Sequence, residues 1–411
     1  MSDFRYMHPL IHDWNRDTTV ARPSHILLDD ETLRDGLQSP SVRSPSIEQK
    51  LRILHLIDRL GIDTADIGLP GAGPHVVADV ERLAVEIREQ KLKVEANCAA
   101  RTVIADIRPI AEISQRVGIP IECCAFIGSS PLRQYAEGWT LDQLLRLTED
   151  AIAFAVKENL PVMYVTEDTT RASPDNLRAL YTCAIRAGAR RVCIADTVGH
   201  STPAGAAAVV RFVKQIVDEC GGGVGIDWHG HRDRDFAIAN TLAALDAGAT
   251  RLHGAAIGIG ERVGNTPMDT LLLNLVLMGY LERDLSSLCE YCEVVSEATG
   301  VPIPPNYPVV GRDAFRTATG VHAAAVIKAF RKNDQALVDA VYSGVPASLV
   351  RREQHIDVGP MSGKSNVVFW LERHGYTPTD ELVDRIFTKA KKSASVLTAE
   401  EITAEIDTAG R

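Results

Sequence analysis

The sequence contains no long hydrophobic run and no excess of positive charge. Its most apolar uncharged stretch is the twelve residues from Thr270 to Leu281, interrupted by Asn274, whereas a helix needs about 20 apolar residues to cross a bilayer. Lys and Arg number 44 against 54 Asp and Glu, which gives a net charge of −10 and a pI near 5.7. These features argue against a membrane span and against a broad surface for nucleic acid or anionic lipid.

Cysteine is sparse and dispersed. Eight cysteines in 411 residues are too dilute for a disulfide scaffold and are typical of a reducing compartment. Cys289 and Cys292 form a C-x-x-C motif without the second ligand pair that a structural zinc site needs, and we interpret them as ordinary residues of one helix face. The N-terminus carries Asp3 and Arg5 and has no apolar core, which does not fit a secretory signal. We expect a cytoplasmic protein.

The composition is that of a globular protein, with 45% hydrophobic and 24% charged residues. Between His25 and Glu261 a short β-branched run followed by a longer amphipathic stretch recurs along the chain. The predicted strands are His25–Thr32, Thr64–Leu69, Lys93–Cys98, Pro120–Ile127, Val162–Thr166, Arg191–Ala195, Val224–Trp228 and Arg251–Ile257. The predicted helices between them include Ser46–Leu60, Pro74–Gln90, Leu141–Glu158, Pro174–Ala187, Pro203–Glu219 and Asp235–Ala247. Eight such units in about 250 residues predict an α/β fold, a (β/α)8 TIM barrel, rather than a doubly wound sheet.

The composition also divides the chain into four parts. We predict an N-terminal arm at residues 1–24, a catalytic barrel at 25–283, a helix with a proline-rich linker at 284–311, and a smaller, mostly helical domain at 312–411. The linker contains Val-Pro-Ile-Pro-Pro-Asn-Tyr-Pro, which favours an extended conformation. In the last part, the capping-box pattern Thr398-x-x-Glu401 and the Thr-Pro-Thr-Asp sequence that begins at Thr377 predict helix starts.

Conspicuous polar residues collect where the predicted strands end. They are Arg34, Asp35, Asp66, Asn97, Glu167, Asp168, Asp196, Thr197, His229, His231, Glu261 and Asn265. The carboxyl ends of barrel strands share one face, which is the face where barrel enzymes place their active sites. The pattern therefore predicts an active site at this face.

Three of these residues predict a metal site. His229 and His231 are alternate residues of an extended segment, so both imidazoles point to the same side. Asp35 follows the first strand, which neighbours the second and eighth strands in a closed barrel. Two histidines and one carboxylate form an open ligand set for a divalent ion such as Mg²⁺, Mn²⁺ or Zn²⁺, with positions left for substrate and water.

Five motifs, in this order along residues 25 to about 370, carry a resemblance to a known family. They are Thr32-Leu-Arg-Asp-Gly-Leu-Gln38, Asp196-Thr-Val-Gly199, His229-Gly-His-Arg-Asp233, Gly258-Ile-Gly-Glu-Arg-Val-Gly-Asn265, and Gly320-Val-His322 followed by Ser362-Gly-Lys364. The chain resembles the DRE-TIM metallolyases, the acyl-CoA-dependent metal barrels that include 2-isopropylmalate, homocitrate and citramalate synthases and 3-hydroxy-3-methylglutaryl-CoA lyase. The resemblance implies acetyl-CoA as a co-substrate and a divalent metal ion as a cofactor.

The resemblance also implies roles for individual residues. The implied metal ligands are Asp35, His229 and His231, with Asn265 close by; the implied catalytic residues are Arg34, Glu167, His322 and Tyr342; the implied substrate-binding residues are Asp66, Arg171 and Thr197. Arg34 would polarise the keto oxygen of the substrate. His322 and Tyr342 would activate acetyl-CoA from the C-terminal domain, above the barrel mouth of a partner subunit in a homodimer. We expect Leu69, Asn97 and Tyr164 to line the pocket.

The activity implied is a metal-dependent Claisen-type condensation of acetyl-CoA with a 2-oxo acid, followed by thioester hydrolysis, to give a 2-alkylmalate. A 2-isopropylmalate synthase is the leading expectation, and homocitrate, citramalate and specialised alkylmalate synthases are the alternatives. A carbon–carbon lyase of the 3-hydroxy-3-methylglutaryl-CoA type is an alternative of another class. The loop from Gly258 to Asn265 lacks the catalytic cysteine of that lyase branch. Leu37, in contrast, resembles the lyase branch at its position in the first motif.

Two departures and the chain length bear on this expectation. Asp66 stands where the family usually has a Glu that pairs with the strand-one Arg, and Asp35 stands where homocitrate synthases often have Glu. The second favours isopropylmalate or citramalate chemistry. The sequence ends at Arg411, soon after the predicted helical domain. We expect no regulatory domain, and hence no feedback inhibition by a product amino acid.

Overall fold

The computed structural model of the chain describes residues 8–12, 14–17 and 25–407. Most of the predicted N-terminal arm, residues 1–24, lies outside the described residues. The chain divides into two compact units between Pro302 and Ile303, inside the segment predicted as a linker. The first unit holds the barrel, and the second holds the C-terminal helices together with the described N-terminal residues.

Eight parallel strands form a closed barrel in sequential order, with β1 paired to both β2 and β8. The strands are β1 (Leu27–Asp30), β2 (Thr64–Asp66), β3 (Glu95–Arg101), β4 (Ile121–Gly128), β5 (Val162–Glu167), β6 (Arg191–Asp196), β7 (Gly225–Gly230) and β8 (Arg251–Gly254). This confirms the predicted (β/α)8 TIM barrel and all eight predicted strands. The last strand is shorter than predicted because the chain leaves the sheet for a 3-10 turn in which Ile257 has a φ of 48°.

The helices of the barrel unit lie between and after the strands. They are α1 (Ile47–Arg59), α2 (Pro74–Gln90), α3 (Ile104–Val117), α4 (Pro131–Glu137), α5 (Leu141–Lys157), α6 (Pro174–Ala187), α7 (Pro203–Glu219), α8 (Ala237–Ala247), α9 (Met268–Leu277) and α10 (Leu288–Thr299). Three of them, α3, α4 and α9, were not among the predicted helices. Helix α3 contains Pro109, and α9 is buried on nearly every side and so lacks an amphipathic pattern. No helix of the described residues is long and apolar enough to span a bilayer.

Charged side chains fill part of the barrel interior. Arg251 on β8 donates to Asp227 on β7 and to Glu122 on β4, each at 2.5 Å. Because β4 and β8 lie on opposite sides of an eight-stranded barrel, the second bond crosses the interior. Arg191 on β6 also donates to Asp227 at 2.6 Å. The interior charges are thus paired, as burial requires, and they form a fixed floor beneath the carboxyl ends of the strands.

The second unit is mostly helical. Its helices are α11 (Gly320–Arg331), α12 (Gln335–Ala340), α13 (Lys364–Arg373), α14 (Asp380–Lys392) and α15 (Ala399–Asp407), with a short parallel pair, β9 (Arg316–Thr317) and β10 (His355–Ile356). Val367, Leu371 and Ile386 are fully buried in its main hydrophobic cluster. The predicted capping box is confirmed, since the backbone N–H of Glu401 donates to Thr398 Oγ1 at 3.2 Å and that of Thr398 donates to Glu401 Oε2 at 2.8 Å.

Candidate metal centre and substrate cavity

A cavity of about 300 Å³ opens among the carboxyl ends of the barrel strands. Its lining includes Glu31, Arg34, Asp35, Asp66, Leu69, Ala99, Cys124, Phe126, Met163, Val165, Glu167, Cys193, Ala195, Thr197, His229, His231, His253, Glu261 and Arg262. The charged residues come mainly from β1, β7, β8 and the segments that follow them, and the apolar residues come from β3 to β6 and the segment after β2. The cavity therefore has a polar side and an apolar side.

The three residues predicted as metal ligands lie together on the polar side. His229 is in β7, His231 directly follows it, and Asp35 begins a 3-10 turn shortly after β1. The two Nε2 atoms are 3.1 Å apart, and His231 Nε2 is 3.8 Å from Asp35 Oδ2. One ligand atom from each of the three residues lies within 4.8 Å of the others. This is a compact donor set of two imidazoles and one carboxylate.

Asn265 lies next to this set, as predicted. Its Nδ2 donates to Asp35 Oδ2 at 2.6 Å, while its buried Oδ1 has no hydrogen-bond partner among the described residues. Gly260 packs directly against Asn265 and Asp35, since a Cβ there would lie 2.5 Å from Asn265 Nδ2 and 3.2 Å from Asp35 Oδ2. An orphaned amide oxygen beside a carboxylate and two imidazoles fits a divalent ion, because these are ligand types that such ions accept.

The protonation states of the two histidines support that fit. His229 Nδ1 lies 2.6 Å from Glu31 Oε2 in a contact that is not aligned as a hydrogen bond. A carboxylate this close to Nδ1 favours the tautomer that carries its proton on Nδ1 and directs the Nε2 lone pair at Asp35 and His231. Burial lowers the pKa of His231 to about 4. His231 is therefore neutral at pH 7, as a metal ligand must be.

Arg34 is held by three carboxylates. Its Nε donates to Asp66 at 2.7 Å, Nη1 to Asp35 at 2.8 Å and Nη2 to Glu31 at 2.9 Å. These bonds use three of the five guanidinium N–H groups. Although burial disfavours its charge, the adjacent carboxylates hold the pKa of Arg34 well above the ordinary value. Arg34 is a permanent cation in a fixed orientation at the edge of the cavity.

The carboxyl group of Asp66 has an unusual environment. Burial raises its pKa to about 7, and the charge of Arg34 only partly opposes this effect. For Asp35 the balance is the reverse, because the adjacent charge of Arg34 outweighs the effect of burial and lowers its pKa. Asp35 is thus an ionised carboxylate, while Asp66 is shared between its two protonation states near neutral pH.

The sequence did not point to Glu31 and His253, which are among the residues of the polar side. Glu31 Oε1 lies 3.1 Å from His253 Nδ1, and His253 Nε2 lies 2.9 Å from Asp227 Oδ2. Burial acts against the charge of His253, but Asp29, Glu31 and Asp227 raise its pKa to about 10. Glu31 lies two residues after Asp29, and His253 lies two residues after Arg251. Because alternate residues of an extended segment face the same side, both are the next inward-facing positions. This period of two is the pattern by which the sequence could have predicted the two residues.

The other predicted barrel residues are divided between the cavity and its surroundings. Glu167 and Thr197 line the cavity. Burial raises the pKa of Glu167, whose nearest cation, Arg133, is 3.9 Å away. Arg171 is not among the lining residues, because both ends of its guanidinium bind Asp168 at 2.7 Å.

The expectation that Leu69, Asn97 and Tyr164 all line the pocket is partly wrong. Leu69 lines the cavity, and Asn97 lies deeper, where it donates to Asp29 at 2.5 Å. Tyr164 is fully buried outside the barrel interior, and its hydroxyl lies 2.9 Å from Thr148 Oγ1 of α5. The period of two along β5 sends its neighbours Met163 and Val165 to the cavity and Tyr164 to the helices.

His322 and Tyr342 lie together in the second unit. Their rings stack with centroids 4.4 Å apart and an interplanar angle of 29°. His322 is in the first turn of α11, Tyr342 follows α12, and both side chains are exposed. The two residues that the sequence pairs on the grounds of resemblance are therefore neighbours in space.

Comparison with known proteins identifies the family. A profile of the HMGL-like family matches residues 25–295. Homocitrate synthase AksA of Methanopyrus kandleri is 33% identical over 373 residues, 90% of this chain and 88% of that protein. A probable 2-isopropylmalate synthase of the same organism is 31% identical over 374 residues, 90% of this chain and 70% of that protein. A crystal structure of 3-hydroxy-3-methylglutaryl-CoA lyase from Bacillus subtilis shares the fold, with a TM-score of 0.56 at 20% identity over 69% of this chain and 96% of that chain. The chain belongs to the HMGL-like, or DRE-TIM, family, and relatives of most of its length are homocitrate and 2-isopropylmalate synthases.

Proposed function

We propose that this protein condenses acetyl-CoA with a 2-oxo acid at a divalent metal ion and releases a 2-alkylmalate and free CoA. The observation that carries the proposal is the donor set of Asp35, His229 and His231, which lies beside the fixed guanidinium of Arg34 at one side of a cavity. The names of the relatives support the same class of reaction.

The residues of the cavity have distinct proposed tasks. Asp35, His229, His231 and the amide oxygen of Asn265 would hold the ion. When bound, the ion would supply Lewis acidity toward the carboxylate and keto oxygens of the 2-oxo acid. Arg34 keeps two N–H groups beyond its three carboxylate bonds, and these would donate to the keto oxygen as negative charge develops on it. Thr197 lines the same cavity and would donate to the substrate carboxylate.

The second substrate requires a base and a water molecule. We propose that His322 removes a proton from the acetyl methyl group and that Tyr342, stacked on it, donates to the thioester oxygen of the enolate. The enolate carbon then bonds to the keto carbon, whose oxygen gains the electron pair and is protonated from solvent to give the hydroxyl of the product. Water adds to the thioester, and CoA leaves as the thiol. We place Glu167 near the reacting atoms. Asp66 and Arg171 are the proposed substrate-binding residues. Arg171 would have to release Asp168 before it could bind a substrate.

We further propose a homodimer in which the second unit of each subunit serves the barrel of its partner. The support is the resemblance in sequence together with the location of His322 and Tyr342 outside the barrel unit. Cyclic dimers are the commonest soluble assemblies.

The lining of the cavity favours a 2-oxo acid with an apolar side chain. Leu69, Ala99 and Phe126 belong to the side away from the metal ligands. The two arginines of the lining are already paired, Arg34 with three carboxylates and Arg262 with Asp233 at 2.7 and 2.9 Å. A second substrate carboxylate would thus meet apolar surface and Glu167 rather than a free cation. We therefore favour 2-isopropylmalate synthesis, with homocitrate, citramalate and specialised alkylmalate synthesis as alternatives.

The test is release of free thiol from acetyl-CoA with Mg²⁺ or Mn²⁺ across a panel of 2-oxo acids: 2-oxoisovalerate, pyruvate, 2-oxoglutarate, oxaloacetate and bulkier analogues. We expect one acid with an apolar side chain to be preferred and the product to have the mass of the corresponding alkylmalate. Thiol release with none of the acids, together with cleavage of a 3-hydroxyacyl-CoA, would move the protein to the lyase class.

A further inference from the structure

The buried residues behind His229 form a continuous chain within the barrel interior, along the neighbouring strands β6, β7, β8 and β1. His229 Nδ1 faces Glu31 Oε2 at 2.6 Å, and Glu31 Oε1 faces His253 Nδ1 at 3.1 Å. The other ring nitrogen of His253 faces Asp227 Oδ2 at 2.9 Å. The chain ends on two arginines, because Arg191 and Arg251 both donate to Asp227. Glu31, His253 and Asp227 are each no more than 3% exposed.

The geometry fixes the charge of each member. His253 has a carboxylate oxygen at each ring nitrogen, so both nitrogens are donors and the ring is an imidazolium. Glu31 has three cationic or N–H groups around it, from Arg34, His229 and His253, and is therefore an ionised acceptor. Its Oε1 accepts from Arg34 and faces His253, while Oε2 is directed at Nδ1 of His229. A carboxylate at Nδ1 leaves the lone pair of His229 on Nε2, on the side of Asp35 and His231.

We propose that Glu31 and His253 are positioning residues for the metal centre, with Glu31 fixing the tautomer and ring orientation of His229 and His253 holding Glu31 in place. This inference rests on the proposed metal site and deepens it. Carboxylates behind a metal-bound imidazole raise its basicity and fix its direction, and their loss costs about 10–100-fold in metal affinity.

A competing arrangement uses the same atoms. Ligand atoms of Glu31, His229 and His253 also lie within 4.8 Å of one another. An ion held there would use Nδ1 of His229 and would replace the contacts just described, whereas an ion held by Asp35 and His231 would use Nε2. The cationic state of His253 argues against the competing arrangement, because an imidazolium has no lone pair to donate. The two arrangements make opposite predictions for substitutions.

The test measures the dissociation constant of Mn²⁺ for metal-free protein by titration calorimetry, without either substrate, in Glu31→Gln, His253→Gln and Asp35→Asn. We expect Asp35→Asn to lose binding almost completely and Glu31→Gln to weaken it by about 10–100-fold. His253→Gln is expected to weaken binding by a smaller factor. Glu122→Gln is the matched control, since Glu122 is a buried carboxylate of the same interior, bonded to Arg251, and outside the proposed chain. We expect it to bind Mn²⁺ as the wild type does.

A spectroscopic measurement keeps the test informative if a variant is less stable. Co²⁺-loaded protein has visible absorption bands that depend on ligand identity and direction. We expect Glu31→Gln to shift these bands and Glu122→Gln to leave them unchanged, in variants whose circular dichroism matches the wild type. Unchanged affinity and unchanged bands in Glu31→Gln would overturn the inference. A greater loss in His253→Gln than in Asp35→Asn would favour the competing arrangement and also overturn it.

The failure of this inference is separable from the failure of the proposed function. Metal affinity is measured without acetyl-CoA or a 2-oxo acid, so it does not depend on which reaction the protein performs. Normal affinity in Glu31→Gln with normal thiol release in the wild type would remove only the positioning roles. A loss of affinity in Glu31→Gln without thiol release in the wild type would remove only the assigned reaction.

Discussion

At the scale of the residue, the chemistry of this protein depends on which buried carboxylates are ionised. Asp35 lies beside the cation of Arg34 and has a lowered pKa, whereas Asp66 and Asp30 have pKa values raised to about 7 by burial. Asp30 takes no part in the cavity. Its oxygens accept from the hydroxyl of Tyr291 on α10 and from the backbone N–H of Thr32. It links the first strand to the helix that packs beside it.

The raised pKa of Asp30 predicts a pH-dependent stability. In the unfolded chain this carboxyl ionises near pH 4, but in the folded protein only near pH 7, so the folded state binds more protons between these values. The contribution of Asp30 is fully present below about pH 4 and is lost as the pH rises through about 7. In Asp30→Asn this loss cannot occur. We therefore compare the difference between the two urea midpoints, variant minus wild type. We expect this difference to be larger at pH 8 than at pH 5.

The measurement is urea unfolding of both proteins at the two pH values. Each pKa unit is worth on the order of 1 kcal/mol, so the effect is large enough to resolve. Asp142→Asn, at the exposed start of α5, controls for the loss of one surface charge. A difference between Asp30→Asn and the wild type that is the same at pH 5 and pH 8 would contradict the assignment.

At the scale of the element, local signals in the sequence were sufficient for most of the fold. The alternation of short β-branched runs with amphipathic stretches predicted all eight strands, and the pattern at Thr398 predicted the start of α15. Two of the three helices that were missed lack a clear signal: Pro109 obscures α3, and α9 is buried on nearly every side. The polar strand ends predicted where the cavity lies, because every parallel strand of a barrel ends on the same face.

The part of the site that the sequence did not predict is the pairing of its charged side chains. His253 and Glu31 meet at 3.1 Å although 222 residues separate them, and no local pattern reports such a contact. The bidentate bond of Arg171 to Asp168 is likewise visible only in three dimensions. Sequence reasoning places residues on a face, but it does not decide which partner a charged side chain binds there.

The capping box of α15 gives a prediction at this scale. Thr398→Ala removes the side-chain acceptor for the N–H of Glu401, which we expect to cost about 1 kcal/mol in the stability of the second unit. Amide hydrogen exchange in α15 measures this directly and should become faster. The matched control is Thr403→Ala on the same helix, whose hydroxyl only bonds back to Ala399 O. Alanine favours the helix there, so exchange should not accelerate. Equal exchange rates in the two variants would show that the cap has no effect.

At the scale of the whole molecule, the proposed chemistry is divided between two units of one chain. The metal ligands belong to the barrel unit, and the stacked pair His322 and Tyr342 belongs to the unit that begins at Ile303. In the proposed homodimer each active site combines a barrel from one subunit with a second unit from the other. This arrangement predicts that two inactive variants complement each other.

The pair of variants is His229→Ala, which disables the barrel, and His322→Ala, which disables the base. Each alone is expected to lose nearly all thiol release. Refolded or co-expressed as a mixture, half of the dimers are mixed, and each mixed dimer contains one site with both residues intact. We expect about a quarter of wild-type activity in the mixture. If each subunit instead used its own second unit, the mixture would be as inactive as its components.

The most direct test of the central claim is a Mn²⁺ titration of metal-free protein in which bound metal and thiol release from acetyl-CoA are measured in the same samples, with the preferred 2-oxo acid present. We predict one site per chain, no thiol release without metal, and a rate proportional to the occupancy of that site, with both signals abolished in His229→Ala. A full rate in the metal-free protein, or an unchanged rate in His229→Ala, would contradict the account.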